Sequence, residues 1–436
     1  MTAVVEAPLL QAPARVSAPA RRWLVLTVLA VAQLMLVVDA TVVNIALPRA
    51  QAALGFSDGD RQWVVTAYSL AFGALLLAGG RLADRFGRRR VFLVGLVGFA
   101  VASAIGGMAG NFAVLVSARA LQGGFGALLA PSALALLTTT FSDSADRARA
   151  FGAFGAVSAA GGSAGLLIGG TLTQYASWRW VMYVNVVLAA AAALAAVPLL
   201  PRDRVANRPV AHSLVPLRIV DRNRGGAIAA MFLSATGVFG VLLFLTYYLE
   251  STLGYPPTKT GLAFLPMAAV MVVVGGAGSA AAVSRFGHRR TIAAGLVAAG
   301  VGMAMLTRVS AEPRYATAVL PATLVMGLGL GLVFAPCFDL GTAGVDEELV
   351  GTASAMLHVA QQIGGSIGMV MLNVIATTVS ASSQASVHSY AVVFWVCALT
   401  FGLAALVVTS VVPADRAQRP VKFGWRRSRK AAAPSA

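Results

Sequence analysis

Two ionisable residues, Asp39 and Arg119, lie inside stretches of sequence that are otherwise apolar. Burial disfavours the charged form of a carboxylate, so a buried aspartate is suited to take up and release a proton. Its proton affinity then depends on the depth of burial and on the distance to the guanidinium of Arg119. We predict that Asp39 and Arg119 form a proton-coupling pair. The alternative interpretation is a static buried ion pair that holds two helices together.

Other chemical patterns in the sequence fit less well. Residues 161–165 match the G-x-S-x-G pattern of a serine nucleophile, but that chemistry needs a strand-to-helix turn and a nearby base. No Walker A sequence occurs, so nucleotide hydrolysis is not expected. Cys337 and Cys397 lie in apolar runs without the spacing of a metal site. We therefore predict a protein that is not an enzyme, without metal or cofactor, driven by an existing ion gradient.

The composition indicates that these groups are positioned by membrane-spanning helices. Of 436 residues, 58% are hydrophobic and 11% are charged, whereas a soluble domain carries about 25% charged residues. Backbone groups in lipid must hydrogen-bond within their own segment, and about 20 apolar residues span the hydrocarbon core. The predicted fold class is therefore all-α integral membrane, in the lipid bilayer. The twelve predicted helices cover residues 23–46, 61–80, 91–110, 112–139, 150–172, 178–200, 225–249, 259–283, 291–309, 315–339, 351–379 and 389–412.

The distribution of positive charge sets the expected orientation. The formal net charge is +17, which in a soluble protein suggests a nucleic-acid partner. With the amino terminus placed inside, 26 Lys and Arg residues fall on the inner side, 6 on the outer side and 1 within a helix. This asymmetry predicts a bacterial plasma (inner) membrane protein with both termini in the cytoplasm and no nucleic-acid partner. The basic tail, 413–436, is either a lipid-facing anchor or a solvated, disordered segment.

Three sequence patterns occur twice in the same order, at offsets of 200, 205 and 203 residues. The repetition predicts two pseudo-symmetric six-helix bundles in parallel orientation, as in transporters that rock two bundles about a central site. The repeated patterns lie at 85–87 and 285–287, at 126–131 and 331–336, and at 161–165 and 364–368. The predicted organisation is a tail 1–22, a bundle 23–200, a linker 201–224 that we expect on the cytoplasmic membrane surface, a bundle 225–412 and the tail 413–436.

Asp39 and Arg119 break this symmetry, because neither has a charged counterpart in the second half, where Leu324 stands opposite Arg119. At a rise of 1.5 Å per residue, both lie about 5 to 12 Å below the predicted outer boundary, so we expect them to meet. An ionisable residue at membrane depth is costly and is by default a functional candidate.

Four stretches of the sequence resemble motifs of one transporter family. The stretch that begins at Asp39 and contains Thr41, Asn44 and Pro48 resembles the helix 1 signature of the drug:proton antiporters in the major facilitator superfamily. The branch concerned is usually drawn with fourteen helices. The others resemble the superfamily's loop motif between helices 2 and 3, its helix 4 motif, and a stretch typical of the branch at helix 6. The four stretches are 39–48, 80–90, 119–126 and 177–185.

The resemblance implies a proton-coupled exporter in which Arg119 is tied to coupling, the loop motif is an inner latch, and helix 5 presents a small-residue face. Positive-inside charge alone is the alternative interpretation of the loop motif. Two departures stand out: Leu166 replaces the family's usual proline, and the two extra helices do not fit into the short linker, 201–224. The loop residues are Gly80, Asp84, Arg85, Gly87, Arg88, Arg89 and Arg90, and the helix 5 face includes Gly161, Gly165, Gly169 and Gly170.

Polar and aromatic residues in the predicted helices are the candidates for a substrate cavity. Each is equally suited to a hydrogen bond between helices or to an interface anchor. With Asp39 as the acidic attraction at depth, we expect a lipophilic substrate that is neutral or weakly cationic. The candidates are Gln33, Asn44, Gln122, Tyr247, His358, Gln361, Gln362 and Trp395.

We therefore predict a monomeric, proton-coupled antiporter that exports small lipophilic drugs, antibiotics or secondary metabolites by alternating access. Two other functions stay open from the sequence. One is the import of a small nutrient by uniport or proton symport on the same fold. The other is a membrane scaffold that transports nothing.

Overall fold

The computed structural model describes residues 19–141, 144–200, 220–308, 315–345, 349–382 and 386–413. Within these ranges the chain forms helices and no strand. The first half contains α1 (Pro19–Leu54), α2 (Trp63–Phe86), α3 (Arg88–Gly107), α4 (Phe112–Thr140), α5 (Ser144–Tyr175) and α6 (Trp180–Leu199). The second half contains α7 (Arg222–Gly240), α8 (Pro257–Val273), α9 (Ser279–Leu306), α10 (Tyr315–Ala318), α11 (Leu320–Thr342), α12 (Val350–Ser382) and α13 (Ser386–Val411). The π-helical segments Val241–Leu245 and Tyr248–Thr252 extend α7, and Val274–Gly278 joins α8 to α9.

The described residues contain eleven helical stretches that are long and apolar enough to cross a membrane. One stretch, Pro257–Leu306, has 50 residues, or about 75 Å of helix, more than twice the thickness of a hydrocarbon core. Gly287 interrupts this stretch with φ 79° and ψ 167°. Gly87, at the equivalent place in the first half, ends α2 with φ 96°. The stretch therefore crosses twice, which gives the twelve crossings that the sequence predicted.

The repeated glycine patterns make equivalent contacts in the two halves. Gly165 of α5 lies against Val38 and Thr41 of α1, and a Cβ at Gly165 would clash with both. Gly368 of α12 lies in the same way against Thr236 of α7. Small residues allow such close approach between helices in a membrane. The repetition in the sequence is therefore a repetition of helix pairs, α1 with α5 and α7 with α12.

Several helices differ from their predicted limits, and α1 and α5 show clear extensions. The first was predicted to end at residue 46, but α1 continues through Pro48 to Leu54. The fifth was predicted to begin at residue 150, but α5 runs from Ser144 to Tyr175. It is continuous at Leu166, and its Gly-Gly-Ser-Ala-Gly stretch is helical. The predicted tails and most of the predicted linker lie outside the described residues.

The two halves meet where α2 packs against α12 and α5 against α8. We call one end of the molecule, with the turns at 55–62, 108–111, 176–179 and 253–256, the predicted outer end. The opposite end, with the turn at Gly87, is the predicted inner end. Between α5 and α8, backbone meets backbone: Gly170 lies against Pro257, and Gly261 lies against the carbonyl of Leu166.

The α2–α4 contact gives a test of glycine packing. A Cβ at Gly123 would clash with the backbone oxygen of Tyr68, whereas a Cβ at Gly124 would meet Leu75 Cδ1 at 3.4 Å, an ordinary contact. Overpacking a tight contact costs about 1–3 kcal/mol. We expect Gly123→Ala to lower the midpoint of thermal unfolding in detergent micelles and Gly124→Ala to leave it near the wild-type value. Equal midpoints for the two variants would contradict this packing.

Candidate functional site

Asp39 and Arg119 are in direct contact at the centre of the first half. Asp39, on α1, and Arg119, on α4, are 0% and 1% exposed. Arg119 Nη1 donates to Asp39 Oδ2 over 2.7 Å. The proximity expected from their equal depth is therefore present. The proton-coupling role of the pair stays a prediction.

Two amides complete the coordination of the Asp39 carboxylate. Asn185 Nδ2, from α6, donates to Asp39 Oδ1 over 2.6 Å. Gln122 Nε2 donates to the same oxygen over 3.2 Å and to Ser103 Oγ over 2.7 Å. We call Asp39, Arg119, Gln122, Asn185 and Ser103 the Asp39 cluster. It contains side chains from α1, α3, α4 and α6. A change in the charge of the carboxylate therefore affects hydrogen bonds that involve four helices.

Arg119 also connects the cluster to α2. Its Nε donates to the backbone carbonyl of Val64 over 3.1 Å, and its guanidinium carbon lies 4.4 Å from the ring centroid of Tyr68. Arg119 Nη1 makes a further hydrogen bond of 2.9 Å to Gln122 Oε1. Arg119 and Gln122 are three residues apart on α4 and therefore share a helix face. Gly123, on the next position, lets the backbone of α2 come close enough for these contacts.

The donors around Asp39 offset part of the cost of burying its carboxylate. Burial disfavours a charge, whereas the guanidinium of Arg119 and the amides of Gln122 and Asn185 stabilise it with one hydrogen bond each. Asn185 Oδ1 is buried without a hydrogen-bond partner, and such an acceptor costs about 1–3 kcal/mol. A proton arriving at Asp39 gives the carboxyl an O–H donor and removes the charge that holds Arg119. The arrangement is therefore suited to couple protonation to movement of the guanidinium.

An apolar wall covers the cluster on its predicted outer side. It encloses a cavity of about 10 Å³, room for roughly one water molecule. Val43 lies one turn outward of Asp39, Leu115 one turn outward of Arg119, and Val181 one turn outward of Asn185. The other lining residues are Ala46, Leu47, Ala50, Val64, Trp178 and Met182. Apart from the indole N–H of Trp178, the side chains of this wall offer a water no hydrogen-bond partner, so the wall separates the cluster from the predicted outer surface.

The predicted helix 1 motif serves packing around the cluster. Thr41 Oγ1 donates to the carbonyls of Val37 and Val38 at 3.1 Å each and lies against Gly165. Asn44, predicted as a cavity residue, is instead buried, and its Nδ2 donates to Ala40 O over 3.1 Å. Pro48 lies inside α1.

The predicted loop motif lies at the predicted inner end and makes contacts within the first half. Arg88 Nη2 lies 3.6 Å from Asp84 Oδ1, and Arg88 Nη1 donates to Ala135 O over 3.4 Å. Arg89 Nη2 donates to Val197 O over 2.7 Å. The remaining members are Gly80 on α2, Arg85 beside Phe86, Gly87 in the turn and the exposed Arg90. An inner latch formed by these residues stays a prediction.

The predicted helix 5 face packs largely on α1. Gly161 lies against Leu34 and Val37, and Gly169 lies against Val42. Gly165 continues this row, whereas Gly170 contacts α8 of the other half. The row thus joins the helix of Asp39 to the boundary between the halves.

The predicted cavity residues divide into two groups. Gln33, Gln361 and Gln362 are partly exposed, and His358 and Trp395 are exposed. The ring centroids of His358 and Phe338 are 4.7 Å apart. Two assignments, besides that of Asn44, need correction. Gln122 is buried because it belongs to the Asp39 cluster, and Tyr247 is buried because it is bonded to Gln51 and stacked on Arg61.

Four further polar residues make buried hydrogen bonds at these sites, although the sequence analysis did not select them. Asn185 and Ser103 complete the Asp39 cluster, and Arg61 and Asn373 connect the two halves. Asn185 is the last residue of the 177–185 stretch, so the resemblance of this stretch to the family could have identified it as a candidate site residue. Arg61 had been counted only as an outer positive charge, and its burial depends on a partner 312 residues away.

Comparison with known proteins gives the class. A family model described as Major Facilitator Superfamily matches residues 29–369. The chain therefore belongs to the Major Facilitator Superfamily and is a multi-pass membrane transporter.

Particular relatives narrow this class. The chain is 41% identical to the puromycin resistance protein pur8 of Streptomyces alboniger, over 90% of this chain and 90% of the relative. It is 34% identical to the cephamycin export protein CmcT of Amycolatopsis lactamdurans, over 88% and 91%. A bacterial homologue of the human lysosomal transporter Spinster, in an inward-facing and unoccupied conformation, matches with a TM-score of 0.73 and 16% identity, over 91% of this chain and 98% of that chain. The last likeness shows the fold alone.

The Asp39 cluster predicts a pH-dependent effect of removing the guanidinium. Arg119→Leu leaves Asp39 buried without its charge partner, a change that typically costs about 3–5 kcal/mol. The cost falls when the carboxyl is protonated, so we expect a larger loss of thermal stability at alkaline than at acidic pH. The double variant Asp39→Asn with Arg119→Leu should recover most of the loss. Arg90→Leu, at an exposed position, is the control. An equal loss at all pH values would argue against the charge as its cause.

Proposed function

We propose that this transporter exports small antibiotic-like molecules across the bacterial inner membrane in exchange for protons. The observation that carries the proposal is the fully buried Asp39–Arg119 contact inside a drug-transporter-like chain. Two relatives of high coverage are named for puromycin resistance and for cephamycin export. A carboxylate that must give up its charge to release a guanidinium is the kind of group that proton coupling requires.

The proposed cycle uses the contacts of Arg119 to transmit protonation. With Asp39 charged, Arg119 ties α1 to α4, while its contacts with Val64 and Tyr68 hold α2. Protonation weakens the tie to α1, because a neutral carboxyl attracts a guanidinium far less. Since α1 is packed on the glycine row of α5, and α5 on α8, the change reaches the boundary between the halves. Movement of the two bundles about this boundary gives alternating access.

The proposed substrate class follows from the polar groups without permanent charge that the described helices carry away from Asp39. His358, Gln361 and Gln362 on α12 and Gln33 on α1 offer hydrogen-bonding groups at partly or fully exposed positions. None of these four residues is acidic or permanently charged. A lipophilic molecule that is neutral or carries one positive charge fits such a surface. We propose that the transporter acts as a monomer, with both termini in the cytoplasm, and uses the proton gradient without a cofactor.

Neutralising the carboxylate tests the proposal directly. The protein is reconstituted in liposomes, a pH gradient is imposed, and uphill movement of puromycin and of ethidium is followed. We expect Asp39→Asn to abolish gradient-driven accumulation of both probes and to retain measurable binding, because the amide keeps the shape of the side chain but cannot exchange a proton.

Asp221→Asn is the matched control. Asp221 caps α7, where its side chain accepts from Arg224 N over 2.9 Å, and asparagine caps helices equally well. This variant should transport at the wild-type rate. Undiminished uphill transport by Asp39→Asn would reject the coupling role of Asp39. Accumulation in the opposite direction would support import, and movement of neither probe by the wild type would count against export of this class of molecule.

A further inference from the structure

A second buried arginine, Arg61, lies at the predicted outer end between the two halves. It lies two residues before α2 and is 5% exposed. Its Nε donates to Asn373 Oδ1, on α12, over 3.1 Å. Asn373 Nδ2 in turn donates to the carbonyls of Asp58 and Gly59, over 3.0 and 3.3 Å. Asn373 therefore accepts a hydrogen bond from Arg61 and donates two to the turn that precedes Arg61, so hydrogen bonds cross the boundary in both directions.

The guanidinium of Arg61 also rests on two aromatic rings of the second half. Its Cζ lies 4.2 Å from the ring centroid of Tyr247 and 5.3 Å from that of Phe244. Such contacts attract the cation to the face of the ring, and the attraction is stronger when the cation is desolvated. Tyr247 is hydrogen-bonded to Gln51 of α1, and Gln51 Nε2 donates to Asp58 Oδ1 over 2.7 Å. We call Arg61, Asn373, Tyr247, Phe244 and Gln51 the outer interlock.

The helix that carries the two rings has an irregular backbone at this place. The π-helical segment Val241–Leu245 includes Phe244, and the segment Tyr248–Thr252 begins directly after Tyr247. Single π-helical turns are rare and are frequently found at functional sites. Phe244 lies within the first segment and Tyr247 lies between the two segments. Both rings contact the guanidinium of Arg61.

The guanidinium is held mainly by neutral groups rather than by a close carboxylate. Its acidic neighbour is Asp58, whose Oδ1 is 3.6 Å away on a side chain that is 68% exposed. A buried pair with a close carboxylate, as at Asp39, is strongly destabilising to break, because it leaves a buried charge without its partner. A hydrogen bond to an amide and contacts with ring faces are weaker individually. They suit a contact that must form and break in every cycle.

The ion pairs described at the predicted inner end have a different arrangement. Asp84 with Arg88 lies within the first half, and His288 with Asp339 lies within the second. At the predicted outer end, by contrast, Arg61 contacts both α12 and α7 of the other half, and Gln174 Oε1 accepts from Thr258 N over 3.2 Å. The structure thus shows the two halves interlocked at the predicted outer end.

We infer that Arg61 is the central positioning residue of this interlock, and that its release from Asn373, Tyr247 and Phe244 opens the predicted outer end. The inference rests on the proposed alternating-access function, but it concerns a conformational equilibrium that exists without substrate or gradient. Removing the guanidinium withdraws three inter-half contacts at once. The populations then shift towards molecules that are open at the outer end and closed at the inner end.

Distances between spin labels in nanodiscs test this inference. One pair, Ser57→Cys with Thr378→Cys, uses exposed positions of the two halves at the predicted outer end. The other, Thr139→Cys with Gly351→Cys, uses exposed positions at the predicted inner end. Cys337 and Cys397 are buried, and replacing both by serine removes them as labelling sites. We expect Arg61→Ala to lengthen the outer distance by several ångströms in most molecules and to shorten the inner distance.

Three further variants separate a positioning role from general damage. Asn373→Leu should shift the distances in the same direction as Arg61→Ala, and Arg61→Lys should give an intermediate distribution, because lysine keeps the charge but cannot form the same planar contacts. Arg179→Ala is the matched control. Arg179 lies at the same end but donates to Gly107 O and Ala109 O of its own half, over 2.8 and 2.6 Å. It should leave both distances unchanged.

Unchanged distances in Arg61→Ala, or an equal shift in Arg179→Ala, would overturn the inference. The measurement is made without substrate and without a gradient, so its outcome is independent of the transport experiment. A shift in Arg61→Ala together with transport of neither probe would leave the interlock standing and remove the proposed function. Transport that depends on Asp39, with no shift in Arg61→Ala, would have the opposite meaning.

Discussion

The first half of this protein is organised around one buried contact between opposite charges. Desolvating a carboxylate and a guanidinium is expensive, and mutual attraction repays the cost only with good geometry and further hydrogen bonds. Asp39 and Arg119 meet at 2.7 Å, and the amides of Asn185 and Gln122 supply the additional donors. Four helices must therefore keep their relative positions for the charge to be tolerated. The same dependence means that neutralising the carboxylate would remove the charge interaction that constrains the positions of these four helices.

Close helix packing makes this arrangement possible, and it follows the internal repeat of the chain. Gly165 and Gly368 let equivalent helices approach in the two halves, whereas an ion pair with both side chains buried occurs only in the first half among the described residues. The two bundles thus share a scaffold but differ in chemistry. In the second half, Phe244 and Tyr247 instead receive a guanidinium from the first half. The buried ion pair thus lies in one bundle, and the aromatic rings that contact Arg61 lie in the other.

Composition and repetition were sufficient to predict the helices, their number and their arrangement in two bundles, because lipid leaves few alternatives for an apolar chain. The contact of Asp39 with Arg119 could be predicted because both residues lie at the same depth in the membrane. That depth follows from their positions within the predicted helices. Asn185 and Asn373 could not be chosen in this way, since an amide in an apolar helix is common and its partner lies far along the chain. Tyr247 was assigned to a cavity for the same reason: the sequence gives the residue type but not the neighbour that covers it.

The contact between α5 and α8 has a mechanical consequence. Gly170 against Pro257, and Gly261 against the carbonyl of Leu166, bring main chain onto main chain with no intervening side chain. Surfaces without rotatable groups have no rotamers to reset when one slides or tilts against the other. In the proposed alternating-access cycle, the two bundles can therefore shift against each other here without a change of rotamer at the contact. A bulky residue introduced at Gly170 or Gly261 would slow the relative movement of the two bundles without contacting substrate or proton.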